Sequence, residues 1–248
     1  MKLKIDPTNE IVPKDNILVT VLAYNEEDSI GSVVDRVRQI LPRATVAVIN
    51  DGSSDNTSEA AKRAGADIIE LPFNLGIGGA MQTGLKFGLL LRFDYIVRMD
   101  GDGQHPPEEI PKLLEPVMNG EADIAVGSRF SGPDALGYKA SLPRRIGIHL
   151  FSRLASRYSG REVTDATCSF QVLNSRAAKF LNRNMEQDHP EVDGWILLGR
   201  AGYSVIEIPV GIQPREKGVS SINQWRALYF IIKVGLTALA ARSRRFNE

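Results

Sequence analysis

The sequence contains a single cysteine, Cys168, among its 248 residues. One cysteine excludes a disulfide framework within the chain and favours a protein of a reducing compartment. No run of about 18 uncharged apolar residues occurs, so a membrane-spanning helix is not expected. Residues 1–13 carry charges throughout and no apolar core, so we expect no secretory signal peptide. The apolar content of 43% and the charged content of 24% exclude disorder, collagen and coiled coil as the main class.

The net charge is zero, but the charges are unevenly distributed. Residues 1–124 hold 12 Lys and Arg against 20 Asp and Glu, whereas residues 125–248 hold 18 against 10. An acidic half suits a metal ion, and a basic half suits phosphates or an anionic membrane surface. The balanced charge, with no interleaved aromatic and basic patch, argues against nucleic acid as a partner.

Strand-like and helix-like patterns alternate through the first half of the chain. Strands are predicted at the apolar runs 17–23, 44–49, 67–71, 95–99 and 124–128. Helices are predicted at 30–41, 57–64, 78–91 and 108–119. Asp28 or Ser29 is expected to cap the first helix. Repeated strand–helix units with short connections predict an α/β fold, with a mostly parallel sheet covered by helices on both faces.

Beyond residue 140 the pattern is less regular. Helices are predicted at 144–158, 175–181 and 192–201, and strands at 170–173 and 205–210. In parallel sheets, ligands bind beyond the carboxyl ends of the strands. The loops at those ends are 24–28, 50–57, 72–79, 100–107 and 129–138, and they should face one crevice. They are also the loops richest in Gly, Asp, Asn and Ser.

Asp100-Gly101-Asp102 follows the fourth predicted strand. Two carboxylates at this spacing can both reach one hard cation, and Mg²⁺ or Mn²⁺ prefers oxygen ligands that it shares with substrate phosphates. Gln104 and His105 could complete the coordination shell. An ordinary Asp-rich turn is the alternative, but the position at a strand end and the Gln-His-Pro-Pro that follows favour the cation site.

Three further loops carry polar or small residues. Residues 50–55 can present a carboxylate to a base or ribose, and residues 24–27 offer an amide and carboxylates at the crevice. The glycine-rich stretch 74–80 is not a dinucleotide fingerprint, because Met81 stands at the third glycine position and the stretch follows the third strand. Close helix packing or approach to phosphate is the interpretation we favour there.

Together these motifs resemble the inverting glycosyltransferases of family 2, which have the GT-A fold, a Rossmann-like mixed sheet. The resemblance is closest to the branch that transfers sugars from nucleotide donors to polyprenyl phosphate, the dolichol-phosphate mannose synthase type, and it spans residues 17 to about 222. The matching motifs are 23–27 (AYNEE), 51–57 (DGSSDNT), 74–76 (NLG), 100–108 (DGDGQHPPE), 127–129 (GSR), 165–170 (DATCSF), 207–209 (EIP) and 215–221 (REKGVSS). Two positions depart from the pattern of the family, with Ala23 where Pro is usual and Asn50 where Asp is usual.

The resemblance implies a role for each matching residue. Glu26 and Asp51 would contact the base and ribose, and Asp100 and Asp102 would form the metal and diphosphate site with Gln104. The implied nucleotide-sugar site comprises Ala23, Tyr24, Asn25, Glu26, Asp51, Gly52, Ser53, Asn74, Gly76, Gly79, Asp100, Gly101 and Asp102. The implied acceptor-phosphate site comprises Arg129, Arg144, Arg145, Arg215 and Ser220, with the choice between Arg144 and Arg145 left open. The implied catalytic residues are Asp102, Arg129, Asp165 and Arg215.

The chemistry of an inverting transfer agrees with these residue types. Negative charge develops on the leaving nucleoside diphosphate, and a divalent cation, Mg²⁺ or Mn²⁺, together with arginine would stabilise it. A lipid monophosphate acceptor is mostly dianionic at pH 7 and needs no protein base. A hydroxyl acceptor would need one, and the candidates are Asp165, Glu191 and Asp193. For Asp165, an ion pair or a loop cap is the structural alternative.

Residues 227–241 are apolar apart from Lys233, and three arginines follow within 242–245. This pattern favours an amphipathic helix at a membrane interface, and packing on the domain itself or in a dimer is the alternative. We therefore divide the chain into a catalytic domain, 1–223, and a C-terminal helix, 224–248. The enzyme is expected at the cytoplasmic face of a membrane, through this helix alone or with a small membrane protein as partner. A homo-oligomer is left open.

The expected function is metal-dependent, inverting transfer of a sugar from a UDP- or GDP-sugar to a polyprenyl phosphate. A first alternative keeps the fold and moves the sugar to a saccharide hydroxyl in polysaccharide or glycolipid assembly. A second alternative, from another class, is a non-catalytic scaffold that binds a sugar nucleotide. The intact Asp100, Asp102 and Arg215 argue against that scaffold.

Overall fold

The computed structural model describes residues 16–130, 142–159, 162–185 and 190–213, and the side chains of 142–148, 158–159 and 190–192 lie outside this description. The strands are β1 (Ile17–Ala23), β2 (Thr45–Asn50), β3 (Asp67–Glu70), β4 (Tyr95–Asp100), β5 (Ile124–Ser128), β6 (Gln171–Asn174) and β7 (Val205–Pro209). The helices are α1 (Ile30–Ile40), α2 (Thr57–Arg63), α3 (Gly76–Leu90), α4 (Ile110–Met118), α5 (Leu142–Ser159), α6 (Ser175–Asn184) and α7 (Pro190–Arg200). A 3₁₀ turn, Pro107–Glu109, precedes α4.

The seven strands form one sheet in the order β3-β2-β1-β4-β6-β5-β7. All paired strands run parallel except β6, which is antiparallel to both β4 and β5. This confirms the predicted mostly parallel, mixed sheet. Because β6 is reversed, its amino end lies at the edge where β4 and β5 have their carboxyl ends. The segment that leads into β6 therefore reaches the same edge as the loops that follow the parallel strands.

The apolar runs of the sequence form the core of the sheet. All seven residues of β1 are buried, as the unbroken apolar run 17–23 predicts for a central parallel strand. The helices α3, α6 and α7 pack against one another, α5 packs on α7, and α1 packs with α2 and the 3₁₀ turn. Burial of the apolar stripe of α1 confirms the predicted helix there.

One detail at the start of α1 differs from the prediction. Ser29 occupies the N-cap position, but its side chain makes no capping hydrogen bond. Its hydroxyl instead donates to the Gly101 carbonyl over 2.8 Å. A buried hydroxyl thus ties the start of α1 to the loop after β4, because the close approach of that loop offers it an acceptor outside its own helix.

None of the helices within the described ranges is long and apolar enough to cross a membrane. The predicted C-terminal helix, 224–248, lies outside these ranges.

Candidate active site

The loops after β1 and β2 are joined by hydrogen bonds. The backbone N–H of Asn25 donates to Ser53 Oγ over 2.9 Å, and the backbone N–H of Ser54 donates to the side-chain oxygen Oδ1 of Asn25 over 2.9 Å. The Glu26 amide donates to the Thr57 hydroxyl, also over 2.9 Å. Asn25 has a φ of +56°, a left-handed conformation that Asn adopts more readily than most residues. Two loops predicted to face one crevice therefore form a single wall.

Asp51 belongs to this wall, and the residue is 5% exposed. Its amide donates to the Ala23 carbonyl over 2.9 Å, and its Oδ1 accepts from the Leu75 amide over 2.7 Å. Burial raises the pKa of the Asp51 carboxyl, and hydrogen bonds from the backbone of Leu75 and Gly76 oppose that rise. The carboxylate therefore joins the loop after β3 to the ends of β1 and β2.

The loop after β3 lies directly on Gly52. A Cβ at Gly52 would lie 2.8 Å from the Asn74 amide nitrogen, and the φ of Gly52 is +72°. Only glycine meets both conditions without strain. Gly79, in the first turns of α3, packs as closely on the Leu75 side chain. These contacts favour close packing as one role of the glycine-rich stretch.

Several apolar side chains are exposed around this wall. They are Tyr24, Phe73, Leu75 and Ile77. Tyr24 is 47% exposed at the end of β1, and Gly76, which begins α3, has a φ of +76°. Both residues belong to the nucleotide site that the resemblance implies, and they stand beside Asp51 and Asn25.

Asp100 is the last residue of β4, one residue further than the predicted strand, and Asp102 follows it. The Gly101 amide donates to the Leu22 carbonyl over 2.8 Å, which extends the pairing of β4 with β1 past Asp100. A Cβ at Gly101 would lie 3.0 Å from Ile30 Cδ1, so packing against α1 favours glycine here as well. Asp102 Oδ1 accepts from the Gln104 amide over 3.0 Å, which holds the carboxylate on its own turn.

The two oxygens of Asp100 have different environments. Oδ2 accepts from the Ser169 hydroxyl over 2.5 Å. Oδ1 is buried, and no donor among the described residues bonds to it. A buried carboxylate oxygen without a donor has lost its hydration, and a cation beside it would offset that cost. The described part of the chain holds no cluster of three Asp, Glu, His or Cys side chains that could bind a metal alone. A cation held by two carboxylates and shared with substrate phosphate fits these residues.

His105, which the sequence places among the possible metal ligands, contacts the backbone of Asp100. Its ring stacks on Phe170 with centroids 5.1 Å apart, and its Nδ1 accepts from the Asp100 amide at 3.4 Å. Burial lowers the pKa of the imidazole, although Asp100 and Asp102 oppose that shift. A neutral His105 therefore supports the backbone of Asp100 from below. The Gln104 carbonyl accepts from the Gln213 amide over 3.0 Å, which brings the chain after β7 beside the Asp102 turn.

Arg129, at the end of β5, forms a bidentate ion pair with Asp165. Nε lies 2.6 Å from Oδ2 and Nη2 lies 2.7 Å from Oδ1, while the Arg129 amide donates to Oδ2 over 3.1 Å. The Asp165 side chain is fully buried, and that of Arg129 is 10% exposed. The role of Asp165 as a candidate base stays a prediction, and the structure shows the contact named as its alternative. Both of its oxygens hold Arg129, which is the ion-pair alternative.

Glu207 on β7 holds the backbone segment that carries Asp165. Its Oε1 accepts from the Asp165 amide over 2.7 Å, and its Oε2 accepts from the Thr164 amide over 2.8 Å. Burial raises the pKa of the Glu207 carboxyl, and these backbone bonds oppose the rise. Thr167 Oγ1 adds a contact of 2.6 Å to Arg129 Nη2. The motifs 165–170 and 207–209 thus form one network around Arg129.

The other predicted arginines lie beyond what the structure describes. Arg144 and Arg145 belong to α5, but their side chains fall outside the described residues, and so do Arg215 and Ser220. The same holds for Glu191. Asp193 is described, and its residue is 2% exposed on α7.

Three residues that support the site are not among those predicted from the sequence: Ser169, Thr167 and Glu207. Each lies in a stretch that matches a family motif, and that match is the feature of the sequence that could have pointed to it. Their partners are 69, 38 and 42 residues away, at Asp100, Arg129 and Asp165. Contacts across such separations depend on the reversed strand β6 and on the pairing of β5 with β7.

Comparisons with known proteins agree with this geometry. The chain is 30% identical over 256 residues to the polyprenol monophosphomannose synthase of Mycolicibacterium smegmatis, in a match that covers 96% of this chain and 94% of that protein. It is 28% identical over 235 residues to the undecaprenyl-phosphate mannosyltransferase of Micrococcus luteus, covering 91% and 95%.

A solved structure has the same fold. It is the glucosyl-3-phosphoglycerate synthase of Mycobacterium tuberculosis in complex with Mn²⁺, uridine diphosphate and phosphoglyceric acid. It matches with a TM-score of 0.71 and 18% identity, over 92% of this chain and 79% of that chain. The pattern of glycosyl transferase family 2 matches residues 18–181, more than half of the chain. The protein therefore belongs to glycosyl transferase family 2 and is a glycosyltransferase.

Proposed function

We propose that this protein transfers a sugar, with inversion, from a nucleoside-diphosphate sugar to a polyprenyl phosphate, and that it depends on a divalent cation. The observation that carries the proposal is the meeting of two features at one edge of the sheet. One is the carboxylate pair Asp100 and Asp102 at the end of β4. The other is Arg129, which directly follows β5 and is held by an ion pair with Asp165. The names of the two mannosyl-transferring relatives support the choice of acceptor.

The donor would lie along the wall formed by the loops after β1, β2 and β3. Asp51 and Glu26 are its acidic groups, and Asn25 and Ser53 supply amide and hydroxyl groups. This wall ends at Asp100 and Asp102, so a base bound at Asp51 would direct its diphosphate toward the two carboxylates. We infer that Gly52 keeps this wall thin enough for the loop after β3 to close on it.

Asp100 and Asp102, with Gln104 beside them, would hold Mg²⁺ or Mn²⁺. When bound, the cation supplies charge stabilisation to the departing nucleoside diphosphate. Asp102 is held by the Gln104 amide, so its carboxylate needs little reorganisation on binding. The neutral His105 beneath Asp100 adds no positive charge to repel a cation.

The acceptor phosphate would bind to arginines. A planar guanidinium suits phosphate, and Arg129 is pre-oriented by its ion pair. Its Nε and Nη2 already donate to Asp165 and Thr167, so Arg129 would contact a phosphate through Nη1. Because Asp165 neutralises Arg129, further positive charge must come from other residues, and our candidates are Arg215 and one of Arg144 and Arg145.

The chain after β7 leads toward this part of the site. The hydrogen bond from Gln213 to Gln104 places Gln213 beside the Asp102 turn. Arg215 is two residues further along the sequence. A phosphate dianion attacks without a protein base. A phosphate acceptor is therefore compatible with an Asp165 whose two oxygens both bind Arg129.

A second candidate function is transfer to a saccharide hydroxyl, and one observation favours it. Burial raises the pKa of Asp193 to about 6, which is close to the value that suits a general base at neutral pH. In that case Asp193 would take the proton of the hydroxyl acceptor.

We infer a position at the cytoplasmic face of a membrane, where the lipid acceptor and the nucleotide donor meet. The C-terminal helix, 224–248, would lie in the interface with its arginines at the headgroups. A small membrane protein is the alternative anchor.

The decisive experiment measures transfer of labelled sugar into a lipid that is extracted with organic solvent. The full chain is supplied with polyprenyl phosphate, Mn²⁺ or Mg²⁺ and a panel of UDP- and GDP-sugars, and Asp102→Asn serves as the matched control. We expect labelled lipid from one donor, lost on chelation of the metal and lost in Asp102→Asn. Transfer to a saccharide instead of the lipid would favour the second candidate. Wild-type turnover in Asp102→Asn would overturn the metal role.

A further inference from the structure

Ser169 contacts the site from a distant part of the sequence. It lies two residues before β6, is 7% exposed, and donates its hydroxyl to Asp100 Oδ2 over 2.5 Å. The neighbouring Phe170 stacks on His105, whose Nδ1 accepts from the Asp100 amide. The segment before β6 therefore supports both the backbone and the carboxylate of Asp100.

The hydroxyl of Ser169 distinguishes the two oxygens of Asp100. Oδ2 has a donor, whereas Oδ1 is buried and receives no hydrogen bond from the described residues. Rotation of the carboxylate plane out of this arrangement would break the bond to Ser169. The hydroxyl thus fixes the orientation of the carboxylate, with one oxygen bonded to Ser169 and the other left for a ligand, in the way that outer-shell partners orient metal ligands.

We propose that Ser169 is a positioning residue of the divalent-cation site, which engages Oδ2 of Asp100 and presents Oδ1 as a single-oxygen ligand. This inference rests on the proposed metal dependence. It goes beyond the carboxylate pair, because it assigns the orientation of one ligand to a hydroxyl from the segment before β6. The other carboxylate is oriented locally, since Oδ1 of Asp102 accepts from the Gln104 amide of its own turn.

The test is Mn²⁺ binding, measured by electron paramagnetic resonance of the free ion, with and without UDP and with no turnover. We expect Ser169→Ala to raise the dissociation constant for Mn²⁺ about tenfold, which is the lower range for loss of an outer-shell partner. The matched control is Thr20→Val, which removes another buried hydroxyl bond, from Thr20 to the Val97 carbonyl in the middle of the sheet. We expect wild-type Mn²⁺ affinity in that control.

A double-mutant cycle separates positioning from a general loss of structure. Asp100→Asn alone should weaken Mn²⁺ binding, and adding Ser169→Ala to it should have no further effect, because the two residues act through one contact. Ser169→Cys keeps the shape of the side chain with a weaker donor, and it replaces Ser169→Ala if the alanine variant does not fold. Additive effects in the cycle, or wild-type affinity in the single variant, would overturn the role of Ser169 alone. A wild-type protein that binds no Mn²⁺ with UDP present would overturn the proposed metal dependence and this inference with it.

Discussion

Arg129 binds Asp165 through two hydrogen bonds of 2.6 and 2.7 Å, and both side chains are almost entirely withdrawn from water. A buried pair of this kind contributes orientation more than net stability, because burial of both charges offsets most of their attraction. Removing one partner is different, since it leaves a buried charge without compensation. The pair therefore fixes Arg129 firmly at the carboxyl edge of the sheet.

Asp165→Asn should lower the free energy of unfolding by about 3 kcal/mol or more, because Arg129 keeps its charge and loses the carboxylate. Urea denaturation at pH 7 measures this. Lys112→Ala is the control, since Lys112 pairs with Glu109 over 2.7 Å at an exposed site. We expect a loss below about 1 kcal/mol there. Equal losses in the two variants would contradict the importance of burial at Arg129.

Gly52→Ala should destabilise the chain and weaken nucleotide binding. The substitution forces a side chain into a left-handed conformation and brings its Cβ to 2.8 Å from the backbone of Phe73 and Asn74. Gly120→Ala is the matched control, because Gly120 has a φ of +75° and a Cβ there would meet nothing within 4 Å. Gly120→Ala should cost about 1 kcal/mol from conformation alone. Thermal denaturation and UDP titration compare the two, and similar results would show that the contact with Asn74 is unimportant.

Asp193→Asn should stabilise the protein at neutral and alkaline pH. Burial raises the pKa of Asp193 from 3.8 to about 6, so the folded state keeps a proton in this range that the unfolded chain releases. Stability therefore falls as pH rises from about 4 to 6, and the full cost is present above 6. The asparagine variant removes a cost of up to about 3 kcal/mol at pH 8.

The difference in free energy of unfolding between Asp193→Asn and wild type should decrease as the pH is lowered from 6 toward 4. Urea denaturation at several pH values measures this difference. Asp35→Asn, at an exposed position on α1, serves as the control and should change the free energy of unfolding by less than about 0.5 kcal/mol. A gain from Asp193→Asn that does not change with pH would contradict burial as the cause.

Arg215→Ala should lower the turnover number by about 10²–10³-fold if Arg215 binds phosphate in the transition state, the scale of losing one preorganised donor. Lys217→Ala, two residues on, should keep turnover close to wild type. Steady-state transfer rates with saturating donor measure both, and circular dichroism checks the fold. Wild-type turnover in Arg215→Ala would remove this residue from the site.

The fold could be predicted from the sequence where its signals are local. Apolar runs and helical stripes identify the units from β1 to β5, and parallel strands bring their following loops together, as the bond from Asn25 to Ser53 shows. The place of β6 between β4 and β5 could not be predicted in this way, because strand pairing depends on where the chain returns. The contact of Ser169 with Asp100 depends on that return. Ser29 shows the same limit at small scale, since its acceptor lies 72 residues away.

The reversed strand also has a consequence for the order in which the molecule folds. The centre of the sheet is completed only when residues 171–174 pair with β4 and β5, so a nascent chain that ends before them leaves the facing edges of β4 and β5 unpaired. Unpaired edges invite association with other chains, and long-range pairing is slow. Ser169 and Phe170 arrive together with this last central strand. Pairing of β6 therefore joins the two parts of the sheet and brings Ser169 to Asp100 in one step, and β7 then adds Glu207 to the network of Arg129.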